Sequence, residues 1–131
     1  MRLSIYADGA SRGNPGPGAI GAAIIDEYGR NLAGISQNIG LSTNNQAEYK
    51  AAIAAIRKAK ELKAKEVTLY LDSELVVNQL NGKYKVKSTL LYPLYMEAAK
   101  LMKEFNKFVA IHIPREENKI ADALARAALR K

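Results

Sequence analysis

The chain has 131 residues, a length that suits one domain with a core of its own. It has no cysteine, which excludes disulfides, thiolate metal sites and a cysteine nucleophile, and no apolar run nears a membrane span. Twenty Lys and Arg against 13 Asp and Glu leave a net charge of +7; this suits a polyanionic partner, or a lysine-rich surface that only aids solubility.

Ser4-Ile5-Tyr6-Ala7-Asp8 alternates small or polar residues with aliphatic ones, the period of a strand, and stops at an Asp followed by Gly9. Gly9 to Gly18 is dense in Gly, Pro and Asn and reads as a turn region. Ala19 to Asp26 reads as a buried strand, Glu27-Tyr28-Gly29-Arg30 as a hairpin turn, and Asn31 to Ile39 as a third strand. A loop, Gly40 to Thr43, leads into a long helix reaching Lys63, with Thr43 and Gln46 at capping-box spacing. Glu66 to Leu71 is a fourth strand. Ser73 caps a short helix that ends near Leu80, with Gly82 as its stop signal. Lys83-Tyr84-Lys85-Val86-Lys87 is a basic linker. A helix over Thr89 to Phe105 carries Pro93 in its first turn, where a missing N–H is tolerated. Val109 to Ile113 is a fifth strand, Pro114 to Glu117 a tight loop, and Asn118 to Arg130 a last helix.

The order β-β-β-α-β-α-α-β-α predicts a single α/β domain over residues 1–131. Strands 1, 4 and 5 are linked through helices and should be parallel, with right-handed crossovers. Strands 2 and 3 extend the sheet antiparallel on the other side. The predicted sheet is five-stranded and mixed, in the order 3-2-1-4-5 with strand 2 antiparallel, flanked by helices. The chain enters its first strand at once, without a signal peptide, and lacks cysteine, so a cytoplasmic location is expected.

Thr68-Leu69-Tyr70-Leu71-Asp72 repeats the first strand's pattern, with a hydroxyl residue, a Tyr and an Asp on one face. In-register neighbours lie about 4.8 Å apart, so Asp8 and Asp72 would leave together at the sheet's carboxyl edge, where such sheets place ligands. Two like charges that close repel, and a divalent cation is the common remedy. The plain alternative is that Asp ends strands because it favours turns. Glu48 heads a stripe of Ala51, Ala52, Ala55, Ala59 and Leu62 that faces the sheet. A helix-dipole carboxylate is the alternative there, but the cap is already supplied and such a glutamate could as well face solvent. Asp122 stands four residues before Arg126, which alone reads as a surface ion pair; meeting the other three acids would reverse that.

Other motifs carry less. Gly16-Pro17-Gly18-Ala19-Ile20-Gly21 fits a dinucleotide fingerprint, but it leads to a hairpin rather than a helix, so its glycines read as turn and close-packing positions. His112, the only histidine, alternates with Ile111 and Ile113 and reads as a packed strand residue. Lys83, Lys85 and Lys87 around Tyr84 either track a phosphate backbone or form a solvated linker.

Five motifs in order carry a family resemblance. They are Tyr6-Ala7-Asp8-Gly9-Ala10, Gly13-Asn14-Pro15-Gly16, Thr43-Asn44-Asn45-Gln46-Ala47-Glu48, Leu71-Asp72-Ser73 and Glu117-Asn118-Lys119-Ile120-Ala121-Asp122-Ala123-Leu124-Ala125. The chain resembles type 1 ribonuclease H over nearly its whole length. The resemblance implies a ribonuclease H-like fold and an RNA–DNA hybrid endonuclease with two Mg²⁺ ions, Mn²⁺ being a substitute. It makes Asp8, Glu48, Asp72 and Asp122 the metal ligands. Asp8 would bridge both ions, Asp122 would share the one that activates water, and Glu48 and Asp72 would hold the other. In-line attack would leave 5′-phosphate and 3′-hydroxyl ends.

The ribose 2′-OH distinguishes RNA from DNA at a given site. The resemblance assigns its reading to Asn14, Asn44, Asn45 and Gln46 with backbone near Gly9, a DNA-strand phosphate to Thr43, and an RNA contact to Ser73. Two features depart from many relatives. The loop before the last helix is short and lacks their histidine, leaving Arg115 as the nearest candidate for proton transfer or product release. No basic helical handle fits between Asn81 and Leu91, so Lys83, Tyr84, Lys85 and Lys87 would supply the grip. The expected partner is an RNA–DNA hybrid acted on by a monomer, with no membrane; duplex RNA is a further substrate of some short-loop relatives. Rival readings are another nuclease on the same fold and a non-catalytic hybrid-binding module.

Overall fold

In β1 (Arg2–Ser11), Leu3, Ile5 and Ala7 are buried while Ser4 and Tyr6 between them are half-buried. That alternation gives the strand two different faces, and the rest of the chain is arranged on them. The computed structural model describes residues 1–130. β2 (Gly16–Asp26), β3 (Asn31–Ser42), β4 (Glu66–Leu71) and β5 (Lys107–His112) complete a sheet in the order β3-β2-β1-β4-β5. β2 is antiparallel to β1 and β3, whereas β1, β4 and β5 are parallel, as the connections predict. Four α-helices flank the sheet: α1 (Asn44–Glu61), α2 (Glu74–Leu80), α3 (Tyr92–Met102) and α4 (Lys119–Leu129). No helix among the described residues is long and apolar enough to cross a membrane.

α1 lies against one face. Its Ala51, Ala52, Ala55 and Ala59 are fully buried, and their small side chains let the helix sit close to the apolar row of β1 and β4. The capping box forms: Thr43 Oγ1 accepts from Gln46 N–H at 3.1 Å, and Gln46 Oε1 accepts from Thr43 N–H at 2.9 Å. α4 lies against the other face, with Ala121, Ala125 and Ala128 buried. Gly21 of β2 makes that approach possible, since a Cβ there would stand 2.2 Å from the Ala121 carbonyl oxygen. Gly21 is the register partner of Asp8, so α4 packs directly over the part of the sheet that carries this acid.

Several boundaries differ from expectation. β1 does not stop at Asp8; it stays paired with β2 as far as Ser11 opposite Gly18. The expected turn region shrinks to Arg12–Pro15, because the glycines beyond it pack inside the sheet. A Cβ on Gly16 would lie 1.8 Å from the Arg12 carbonyl oxygen. β3 runs through Gly40 to Ser42, since Ile39 is absorbed as a bulge opposite Gly18 and Ala19 and Gly40 takes φ +76. α3 starts at Tyr92 rather than Thr89: Ser88 Oγ accepts from Leu91 N–H and closes a separate turn, leaving Pro93 in the helix's first turn. β5 begins earlier, at Lys107.

Gly21→Ala should push α4 off the sheet and destabilise the protein by about 2–3 kcal/mol. The urea midpoint of the variant measures this; an unchanged midpoint would contradict the close approach.

Candidate active site

Asp8 sits inside β1 and only Asp72 leaves its strand, so the expectation that both acids exit the sheet holds for one. The pair still meets, because β1 and β4 are in register, Ser4 beside Thr68 and Tyr6 beside Tyr70. The two tyrosine rings stack at 4.6 Å, two residues before each acid.

Glu48 is the fifth residue of α1, one place beyond its first turn. It reaches the acids because the head of α1 rests on Gly9, where a Cβ would come within 2.2 Å of the Ala47 carbonyl carbon. The Gly9 N–H donates to Glu48 Oε1 at 2.8 Å, so this amide is engaged by the acid rather than left open. One oxygen from each of Asp8, Glu48 and Asp72 lies within 4.8 Å of the others. Asp122 lines the same cavity, of about 630 Å³, but its carboxylate turns to Arg126, whose Nε donates to both oxygens at 3.1 and 3.0 Å. The i,i+4 pair thus forms as an exposed ion pair, as its spacing suggests, but at the rim of the acid cavity.

Asp8 and Glu48 are both buried. Burial, then the neighbouring Asp72 and Asp122 carboxylates, pushes the Asp8 carboxyl up to about 7, although the adjacent Glu48 carboxyl pulls the other way. Burial first, and then Asp8, holds Glu48 well above the usual carboxylate range. Glu48 Oε2 is buried and has no hydrogen-bond partner. A buried, unpartnered carboxylate oxygen among other carboxylates is what a hard divalent cation coordinates. The donor set therefore fits a metal ion.

Asn118 lies in the Glu117–Ala125 motif, and no sequence pattern gives it a role. It is buried at the head of α4, and its Nδ2 donates to the Ala7 carbonyl oxygen at 2.9 Å and to Asp72 Oδ2 at 3.3 Å. It ties β1, Asp72 and α4 together. Arg12 and Arg130, with no role expected from the sequence, and Arg126, expected only as the ion-pair partner of Asp122, also line the acid cavity. The signal for two of them was available: Arg126 and Arg130 follow Asp122 at four-residue steps on one helix face.

Most of the expected site residues fall into two cavities. Gly9, Asn44, Ser73 and Arg115 line the acid cavity, and Ser73 Oγ also caps α2 by accepting from Val76 N–H at 3.3 Å. Asn14, Thr43, Asn45, Lys85 and Lys87 line a second cavity of about 470 Å³. Asn14 Oδ1 accepts from Asn44 N–H at 2.9 Å, so the two cavities meet at the start of α1. Gln46, Lys83 and Tyr84 line neither; Gln46 Oε1 is engaged in the cap, and the Tyr84 hydroxyl donates to Glu74 at 3.4 Å. His112 is exposed at the end of β5 rather than packed, because β5 is an edge strand that ends there.

Residues 6–128 match the reverse transcriptase-like family. The chain is 42% identical to the bifunctional protein Rv2228c of Mycobacterium tuberculosis over 130 residues, covering 98% of this chain and 36% of that protein. It is 41% identical to ribonuclease HI of Halobacterium salinarum over 128 residues, covering 98% of this chain and 64% of that protein. It thus spans about a third and about two thirds of their lengths. The crystal structure of the Halobacterium RNase H1 superimposes with a TM-score of 0.97 at 41% identity, covering 99% of this chain and 98% of that one. LC11-RNase H1, solved in complex with an RNA/DNA hybrid, superimposes with a TM-score of 0.92 at 41% identity, covering 98% and 96%. Sequence match, sheet order and the acid constellation coincide, and the chain belongs to the ribonuclease H family.

Proposed function

We propose that this chain is an endonuclease that hydrolyses the RNA strand of RNA–DNA hybrids, leaving 5′-phosphate and 3′-hydroxyl ends. The observation that carries the reading is the meeting of Asp8, Glu48 and Asp72 from three separate elements, with Glu48 Oε2 buried and unpartnered. The hybrid bound to a relative of 41% identity supports the choice of substrate. A binding module has no need of such a cluster, which repels phosphate.

Asp8, Glu48 and Asp72 would hold the metal ions, with Asp122 completing the set after release from Arg126. Two magnesium ions, for which manganese substitutes, would supply a more acidic attacking water and stabilise the departing oxygen. The chain's own residues supply position. Asn118 keeps the Asp72 carboxylate turned toward Asp8. Ser73, Asn44 and the Gly9 backbone border the acid cavity, where the RNA strand lies; Arg12, Arg126 and Arg130 neutralise its phosphates. Arg115, which lines the same cavity, would serve proton transfer or product release. Asn14 and Asn45 line the second cavity with Thr43, Lys85 and Lys87; the two amides, with Asn44, would read ribose 2′-hydroxyls, while Thr43 would take a DNA-strand phosphate and the lysines the backbone beside it. Lys83 and Tyr84 flank this grip, and Gln46 supports it by fixing the head of α1.

Incubation with labelled RNA–DNA hybrid, duplex RNA and duplex DNA should give magnesium-dependent cutting of the hybrid's RNA strand that chelator abolishes. Asp8→Asn should lower this cleavage by more than about a hundredfold, beyond the loss typical of a group that only supports a ligand. Hybrid binding should persist or tighten, since one repelling charge is gone. Wild-type protein that leaves the hybrid intact would refute the reading.

The raised carboxyls make stability depend on pH. A carboxyl that ionises near 7 when folded and near 4 when unfolded stabilises the fold below about 4, and that stabilisation is lost as pH rises through about 7. In chelator, the melting temperature should therefore fall between pH 5 and 8. Asp8→Asn should flatten the slope, and magnesium should restore stability at pH 8. A melting temperature independent of pH and of magnesium would contradict the arrangement of charges.

A further inference from the structure

The segment after α2 has no regular structure, yet it is tied down. Lys83 and Tyr84 both donate their N–H to the Asn78 carbonyl oxygen, at 2.8 and 3.2 Å. Beneath it lies a buried polar pair. Tyr49, with no exposed surface, donates its hydroxyl to Gln79 Oε1, and Gln79 Nε2 reaches the Lys85 carbonyl oxygen at 3.5 Å. Gln79 is only 4% exposed.

A tyrosine and a glutamine inside a core lose their hydration and regain it only through partners. An apolar pair would fill the same space without that penalty, so packing alone gives no reason for them. What the pair adds is direction. Tyr49 follows Glu48 on α1, and Lys85 O lies on the linker whose Lys85 and Lys87 face Asn14, Thr43 and Asn45 across the second cavity. The chain of bonds runs from the helix that carries an acid ligand, through α2, to the basic segment.

We propose that Tyr49 and Gln79 are positioning residues that lock the Lys83–Lys87 segment over the second cavity, so that Lys85 and Lys87 meet the phosphate backbone in register with the acid cluster. The proposal rests on the hybrid reading above for the identity of the polyanion. The tie replaces, within the core, the orienting role that a longer basic element would have. Gln79 forms part of the floor of the second cavity but is only 4% exposed, and Tyr49 has no exposed surface, so both act through the segment they hold.

The test uses the full chain with Gln79→Met, which keeps the volume and removes both bonds. Three readouts separate the possibilities: amide exchange at Lys83 and Tyr84, the KM and kcat for hybrid cleavage, and the salt dependence of hybrid binding. Exchange at the two amides should speed up by about tenfold as the segment loosens. KM should rise by about threefold to tenfold with kcat held within about twofold, and the slope of log affinity against log salt should shrink by about one phosphate contact. Tyr49→Phe, a smaller change, should move all three the same way and serves if Gln79→Met unfolds. Faster exchange with unchanged KM and salt slope would overturn the positioning role. Unchanged exchange would overturn the tie itself. Failure of the wild type to cut hybrid would sink the functional reading instead, while the exchange result would still decide whether the tie exists.

Discussion

Three carboxylates held within 4.8 Å of one another, two of them buried, is the arrangement on which the rest depends. In water such groups would drift apart. Here β1, β4 and α1 hold them, and the repulsion appears as raised affinity for protons at Asp8 and Glu48. A cation relieves the same strain by replacing the proton. The site is thus built to favour whatever positive charge reaches it, and the fold carries the cost when none does.

The devices that hold the acids are small. Gly9 lets the head of α1 touch β1, and its amide fixes one oxygen of Glu48. Gly21 lets α4 lie over Asp8. Asn118 links the start of α4 to Asp72 and to the β1 backbone. Each brings backbone close to backbone or replaces one charge contact with an oriented amide. Asp122 stands apart from the other three acids because Arg126 donates to both of its oxygens and turns it away from them.

The strand period of residues 4–8 and 68–72, the alanine stripe of α1 and the Thr43 capping box are local patterns, and the sheet order follows from them with the handedness of crossovers. The register that brings Asp8 beside Asp72 was legible for the same reason, since both strands repeat hydroxyl, Tyr, Asp. The length of β1 past Asp8 was not, because Gly9 to Gly18 reads locally as a turn region, and only the contacts of Gly16 with Arg12 and of Gly18 with Ser42 show that part of it is packed. The roles of Asn118 and Gln79 were equally hidden. Each bonds to backbone far along the chain or to a loop carbonyl, and no spacing rule encodes such a partner. The arginines around the acids are partly legible in helical spacing, since Arg126 and Arg130 follow Asp122 at four-residue steps, whereas Arg12 reaches the site from a loop that no spacing rule places.

The most direct measurement is a crystal of the wild-type protein soaked in manganese at pH 8, with anomalous scattering used to locate the ions. Peaks between Asp8, Glu48 and Asp72, with Asp122 turned from Arg126 toward a second ion, are expected. A well-ordered acid cluster with no peak, at manganese concentrations that saturate exposed carboxylates, would contradict the claim that these acids are gathered to hold cations.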